Sequence, residues 1–202
     1  MKRTYKIGID FDNTVICYDT VFNIAAMEKK LISTDRPMSK NSVRNYLRRI
    51  GRENDWTMLQ GYVYGEKLFE AGPYAGVKTF LDYCNEKSID HCIVSHKTRT
   101  PYLGKSYDLH KSARNWMEKE GIRCDVFFEL TKQEKIRRVN TQGCTHFIDD
   151  LPEFLSLPGF AKNLTKILFD PLKQYSGGRL ENELKIVNSW ADILNLLKQG
   201  HL

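Results

Sequence analysis

The sequence lacks any apolar run long enough to cross a membrane, and residues Met1–Ile9 lack the hydrophobic centre of a signal peptide. No internal repeat or low-complexity tract interrupts the chain. Its 202 residues are 41% hydrophobic and 28% charged, a composition typical of globular proteins. We therefore expect a folded, cytoplasmic protein with no membrane partner, large enough for one core and a small accessory module.

Cysteine pairs with metal-site spacing are also lacking. The five cysteines are odd in number and form no C-x-x-C pair, so neither a disulfide framework nor a zinc knuckle is indicated. These residues are Cys17, Cys84, Cys92, Cys124 and Cys144. We expect reduced thiols that are largely buried.

Positive charge is in excess but scattered. The formal net charge is +6, and the basic residues cluster only at Arg44–Arg52 and Lys132–Arg138. No nucleic-acid-binding motif accompanies these clusters, so nucleic acid is a low-ranked partner. Attraction of an anionic substrate is the simpler interpretation.

Short apolar runs alternate with amphipathic stretches along most of the chain. The runs predicted as strands are Thr4–Ile9, His91–Val94, Cys124–Phe128, Thr145–Ile148 and Lys166–Phe169. The intervening stretches have apolar residues at helical spacing. This alternation predicts an α/β fold with a Rossmann-like parallel sheet and helices on both faces.

One block departs from the alternation. Between Tyr18 and Ala71 the chain has several helical stretches in succession and ends at the Gly72-Pro73 turn. The pattern predicts a helical insertion at 18–71, with 1–17 and 72–202 forming the core domain.

Two carboxylates follow the first predicted strand, in Asp10-Phe11-Asp12-Asn13-Thr14. A magnesium ion held by such a pair would allow one carboxylate to attack phosphorus while its neighbour transfers protons. For D-x-D alone, a solvated acidic turn with Asp12 capping a helix is equally open.

A hydroxyl and two lysines follow the next predicted strands. Ser95 follows the run His91–Val94 and could hold a phosphate oxygen or simply cap a helix. Lys132 and Lys135 open the helix after Cys124–Phe128, where a lysine can reach a phosphate, although most surface lysines have no such role. We favour Lys135, with Lys132 as the substitute.

A second acidic pair, Asp149-Asp150, follows the run Thr145–Ile148. Adjacent carboxylates at the end of a buried strand are unfavourable unless a cation compensates them. A turn or a helix cap is the alternative. A magnesium ligand is the favoured interpretation.

In this order, the four motifs resemble those of the haloacid dehalogenase superfamily across nearly the whole core of the chain. That superfamily has D-x-D-x-[TV], then Ser or Thr, then Lys or Arg, then an acidic pair, matched here by DFDNT, IVS, TKQEK and FIDD. The sequence departs from the pattern at Asn13, a position that is often glycine, and in the short interval from Lys135 to Asp149. The resemblance implies the superfamily's core fold with a small helical cap inserted after the first strand.

The resemblance also implies a magnesium-dependent phosphomonoester hydrolase of the phosphatase branch. Asp10 would form an aspartyl-phosphate, and Asp12 would protonate the leaving oxygen and then activate water. Ser95 and Lys135 would hold the transferring phosphoryl group. The residues implied to bind magnesium are Asp10, Asp12, through its main-chain carbonyl, Asp149 and Asp150.

A small phosphorylated metabolite is the expected substrate. The strings SHKT and FIDDLPEFL are similar to small phosphatases of bacterial surface-polysaccharide pathways, which hints at a sugar phosphate. Aromatic residues of the insertion could instead stack on a base, as in a 5′-nucleotidase-like enzyme. The candidates for recognising a leaving group are Arg48, Arg49, Trp56, Tyr62 and Tyr64, each of which is individually more typical of a solvated face or a core. His96 and Lys97 adjoin Ser95 and receive no catalytic role.

A non-enzymatic phosphoacceptor or binding domain is the alternative from another class. Receiver domains also combine carboxylates, a hydroxyl and a lysine on a parallel sheet, but there the acidic pair comes early and the lysine late. Here Asp149-Asp150 follows Lys135, which argues against that class. The sequence does not determine oligomeric state, and the loop at 177–179 has no assigned role.

Overall fold

The computed structural model describes residues 5–33, 39–175 and 184–202. They belong to two compact units: Met1–Val15, Pro73–His96 and Ile122–Leu202 in the first, Ile16–Gly72 and Lys97–Gly121 in the second. The second unit groups Lys97–Gly121 with the predicted insertion, which sequence patterns did not anticipate. The division into a core at 1–17 and 72–202 and a cap at 18–71 stays a prediction. The loop at 177–179 lies outside the described residues.

Helices and strands alternate through most of the chain. The strands are β1 Lys6–Ile9, β2 Ile16–Cys17, β3 Gly72–Pro73, β4 Asp90–His96, β5 Asp125–Glu129, β6 His146–Asp149, β7 Thr165–Phe169 and β8 Lys185–Val187. The helices are α1 Asp19–Glu28, α2 Lys40–Arg49, α3 Glu53–Gly65, α4 Val77–Glu86, α5 Leu109–Lys119, α6 Lys132–Thr141, α7 Pro152–Leu155 and α8 Trp190–Lys198, and a 3-10 turn spans Leu68–Glu70.

The first unit is built on a six-stranded parallel sheet. Its strand order is β5-β4-β1-β6-β7-β8, which places β1 between β4 and β6. In the register, Gly8 of β1 lies beside Cys92 and Phe147. A Cβ at Gly8 would lie 2.7 Å from the Phe147 ring, so only glycine allows this close packing. The predicted α/β fold with a parallel sheet is confirmed.

Apolar residues cover both faces of this sheet. On one face, Ile136 of α6 and Phe154 of α7 pack in one buried cluster with Val94 and Phe147 from the strands. On the other face, Trp190 of α8 packs against Phe80 of α4 and Phe169 of β7, with ring centroids 4.9 and 5.7 Å apart. Burial on both faces explains why the strands read as continuous apolar runs in the sequence.

The second unit is helical. Phe22 of α1 packs on Trp56 of α3 with ring centroids 5.1 Å apart, and Trp56 is only 2% exposed. The indole of Trp116 in α5 donates a 2.8 Å hydrogen bond to the Ala71 carbonyl. This bond and the apolar packing explain why Lys97–Gly121 joins this unit.

Several elements differ from the sequence-based prediction. The strand β8 and the short helix α7 were not predicted, and the predicted Gly72-Pro73 turn contains β3, which pairs with β2. These elements are too short to show a periodicity. The strand predicted as His91–Val94 extends to His96, so Ser95 lies inside β4 rather than after it.

Among the described residues, no helix combines the length and hydrophobicity that a membrane span requires.

Candidate active site

The acidic motifs meet at the carboxyl edge of the sheet. Asp10 directly follows β1, and its amide donates a 2.8 Å hydrogen bond to the carbonyl of Ile148 in β6. Asp149 is the last residue of β6. Because β1 and β6 are parallel neighbours, the two carboxylates reach the same edge.

The chain turns sharply after Asp10. The Val15 amide donates to the Phe11 carbonyl at 3.1 Å, and Asn13 adopts a left-handed conformation with φ of 61°. Asparagine tolerates this conformation better than any residue type except glycine. The departure from glycine at Asn13 therefore leaves the turn intact. Asp12 does not cap α1, whose N-cap is Tyr18.

Helix α6 positions Lys135. Thr131 caps this helix, since its hydroxyl oxygen accepts a 3.1 Å bond from the Glu134 amide, and the same hydroxyl donates a 3.0 Å bond to the Glu134 carboxylate. One turn further, Lys135 is buried, with its ammonium 4.3 Å from the ring centroid of Phe154. The helix thus directs an aliphatic stem through the core and an ammonium to the sheet edge.

Lys135 joins the two acidic motifs. Its ammonium lies 2.5 Å from Asp10 Oδ1 and 2.6 Å from Asp149 Oδ2. All three side chains are nearly inaccessible, at 4%, 7% and 0% exposure. The short interval between Lys135 and Asp149 therefore still allows a direct contact. Asp149 also accepts a 2.9 Å bond from the Leu151 amide, as in the turn interpretation of this motif.

Burial and charge shift the pKa values of this cluster. Burial raises the pKa of Asp10 to about 7; Lys135 opposes the shift, and Asp149 and Asp12 add to it. Burial alone would lower the pKa of Lys135, but Asp10 and Asp149 outweigh it and hold the pKa above its ordinary value. Lys135 therefore stays charged at neutral pH, and the protonated form of Asp10 is favoured more than in an exposed carboxyl group.

The acidic residues can hold a hard cation. Asp10, Asp149 and Asp150 each offer a carboxylate oxygen within 4.8 Å of the others. The charge of Asp12 also acts on Asp10, so the negative charge of this cluster exceeds the single positive charge of Lys135. Oxygen ligands of this kind suit magnesium. The residues present therefore fit a divalent metal.

Two buried hydroxyls stand out at this part of the sheet. Ser95 is 1% exposed and Thr14 is 0% exposed, and neither side-chain oxygen has a hydrogen-bond partner among the described residues. Ser95 lies in β4, so it does not cap a helix. Buried hydroxyls without partners are unfavourable unless a ligand satisfies them. Thr14 was not singled out, although its place in DFDNT was a usable signal.

The two candidate lysines have different environments. Lys132 is exposed, and no bond joins it to the acidic residues among those described. Lys135, in contrast, contacts both Asp10 and Asp149. The structure therefore brings together Asp10, Asp149, Asp150 and Lys135, and leaves Lys132 outside the cluster.

The candidate recognition residues of the insertion are largely engaged in structure. Trp56 is buried on Phe22, and Arg48 pairs with Glu53 at 2.7 Å. The Tyr62 hydroxyl contacts Glu28 at 3.3 Å. These contacts agree with the interpretation of a solvated face and a core.

Neither a family model nor a curated protein matches this sequence.

Solved structures match it over nearly its whole length. One is a HAD-superfamily hydrolase from Ehrlichia chaffeensis, with 14% identity, 98% of each chain covered and a TM-score of 0.59. A predicted phosphatase from Clostridium acetobutylicum has 15% identity, covers 98% of this chain and 100% of its own, and has a TM-score of 0.60. A predicted phosphoglycolate phosphatase from Haemophilus somnus has 12% identity, covers 98% and 99%, and has a TM-score of 0.58. The chain thus shares the α/β fold of these structures.

Proposed function

We propose that this chain is a magnesium-dependent phosphomonoester hydrolase that acts through an aspartyl-phosphate on a small phosphorylated metabolite. The observation that carries the proposal is the buried Asp10–Lys135–Asp149 cluster at the carboxyl edge of the sheet. The fold shared with structures described as phosphatases supports it. We also propose that the helical unit corresponds to the predicted cap.

Asp10 is the proposed nucleophile. Its carboxylate attacks phosphorus, the ester bond breaks, and the departing oxygen takes a proton from Asp12. In the second step Asp12 accepts a proton from water, whose oxygen attacks phosphorus and releases Asp10 and inorganic phosphate. The residue two positions after the nucleophile thus serves both steps.

Lys135 and Ser95 are the proposed phosphoryl ligands. The ammonium is already fixed beside Asp10 by two ion pairs, so little reorganisation is needed when a phosphate arrives. The unpartnered Ser95 hydroxyl can donate to a phosphoryl oxygen, which removes its burial penalty. Lys132 is the weaker candidate because it is exposed and outside the cluster.

Asp10, Asp149, Asp150 and the main-chain carbonyl of Asp12 are the proposed ligands of magnesium. When bound by these residues, the ion would neutralise phosphate charge and would favour the ionised form of the nucleophile. Asp149 and Asp150 supply their carboxylates at the carboxyl end of β6. The Leu151 amide and the Lys135 ammonium orient the Asp149 carboxylate by hydrogen bonds.

The proposal is tested by hydrolysis of para-nitrophenyl phosphate with and without magnesium. We expect metal-dependent turnover that chelation abolishes and that Asp10→Asn lowers by at least about 1000-fold, because the nucleophile is lost. Asp82→Asn, which changes an exposed carboxylate in α4, is the matched control and should retain activity.

A rate of hydrolysis that is unchanged by removal of the metal, or by Asp10→Asn, would overturn the mechanism. A stable phosphoprotein without turnover would favour the phosphoacceptor alternative. A panel of sugar phosphates and 5′-nucleotides then separates the two substrate classes that the sequence leaves open.

A further inference from the structure

His96 is a polar residue at the carboxyl edge that the proposed mechanism does not use. It is the last residue of β4, pairs with Glu129 of β5, and directly follows Ser95. Side chains alternate between the faces of a strand, so the buried Ser95 and the exposed His96 point in different directions. The buried hydroxyl of Ser95 and the exposed imidazole of His96 therefore belong to adjacent residues.

A main-chain contact fixes the tautomer of this imidazole. His96 Nε2 lies 3.0 Å from the carbonyl oxygen of Leu130. A carbonyl can only accept, so Nε2 carries the hydrogen and Nδ1 keeps its lone pair in the neutral ring. Burial lowers the pKa of His96; Lys135 and Lys132 lower it further, while the Leu130 bond and Asp12 oppose the shift. The lowered pKa favours the neutral ring, in which Nδ1 is the acceptor atom.

The position of the ring links it to the acidic cluster. Strand β4 is the direct neighbour of β1, at the usual strand spacing of about 4.8 Å. His96 ends β4 at the edge where Asp10 follows β1, and it is near enough to Asp12, Lys132 and Lys135 for their charges to act on it.

We propose that His96 is a specificity-determining residue of the same site, whose Nδ1 accepts a hydrogen bond from a hydroxyl on the leaving group of the phosphomonoester. The inference rests on the proposed hydrolase function. The surrounding carboxylates and ammonium groups serve the metal and the phosphoryl group. A neutral acceptor beside them favours an uncharged donor, so the substrate class is a phosphorylated polyol or sugar.

The test compares two matched probes, propane-1,2-diol 1-phosphate and propyl phosphate, which differ by one hydroxyl. The measured quantity is the ratio of their kcat/KM values in magnesium. We expect wild type to favour the diol phosphate and His96→Phe to reduce that ratio by about 3- to 10-fold, chiefly through KM, as the loss of one neutral hydrogen bond implies. His201→Phe, at an exposed histidine outside the site, is the control.

Two further variants separate recognition from support of the loop. His96→Asn retains an acceptor near the Nδ1 position but loses the bond to Leu130, whereas His96→Gln can retain that bond without the acceptor. Restoration of the ratio by His96→Asn and not by His96→Gln supports the proposal. The opposite order, or a ratio that His96→Phe leaves unchanged, overturns it while hydrolysis of both probes stands. Absence of hydrolysis of both probes and of para-nitrophenyl phosphate by wild type would remove the proposed function, and this inference with it.

Discussion

Replacement of Lys135 by methionine tests the central contact of the site most directly. Methionine keeps an unbranched stem of similar length but removes the charge that lies 2.5 Å from Asp10 and 2.6 Å from Asp149. At an effective dielectric constant of about 20, each contact has a gross attraction of about 6 kcal/mol. Much of this is offset by the unfavourable burial of the ammonium, so we expect a net destabilisation of about 3–5 kcal/mol.

The loss should depend on pH, with a definite sign. Lys135 lowers the pKa of Asp10, which is nevertheless raised to about 7. Without Lys135 that pKa rises further, so Asp10 keeps its proton up to a higher pH, and below that pH its repulsion with Asp149 is relieved. A carboxyl whose folded-state pKa is raised loses stability as pH rises through that pKa. The destabilisation should therefore be larger at pH 8.5 than at pH 6.

Thermal unfolding followed by circular dichroism, in the absence of divalent metal, measures this effect. The expected loss corresponds to a fall in Tm of about 6–20 °C for a chain of this size. Lys132→Met is the matched control, because it removes an exposed lysine from the same helical turn. Equal Tm values for the two variants, or a Lys135→Met effect that is independent of pH, would refute the electrostatic reasoning.

Two further predictions follow from unpartnered or closely packed groups. Ser95→Ala should change stability by less than about 0.5 kcal/mol, because the hydroxyl has no partner among the described residues, yet lower kcat/KM for an aryl phosphate by about 10- to 100-fold. A large stability loss with normal kinetics would contradict this role. In the helical unit, Gly65→Ala would place a Cβ 2.2 Å from the Tyr107 ring and should destabilise by about 1–3 kcal/mol in urea unfolding. Gly72→Ala is its control, because a Cβ there would meet no atom of the described part of the chain within 4 Å, and an equal effect would show that packing is not the cause.

Local patterns were sufficient to predict much of the sheet and its reactive edge. The apolar runs ending at Ile9 and Ile148 correspond to β1 and β6, and the carboxylates of Asp10 and Asp149 therefore fall at neighbouring strand ends. This prediction succeeds because burial on both faces and the end of an extended run are properties of adjacent residues.

Tertiary structure decided between alternatives that are equivalent in sequence. Lys132 and Lys135 lie in the same turn of α6, and only packing of that helix directs Lys135 across Phe154 to Asp10, a residue 125 positions away. The N-cap interpretation of Ser95 failed for a similar reason: pairing with Phe128 of β5 extends β4 past the apolar run.

The sequence by itself therefore determined the longer elements, the fold class and the order of the reactive motifs. The choice of lysine, the burial of Ser95 and the grouping of Lys97–Gly121 with the helical unit were decided by tertiary structure. Periodicity reports which side of one element is apolar, whereas these three features depend on which elements pack together. Such packing joins residues far apart in the chain, and no local pattern encodes it.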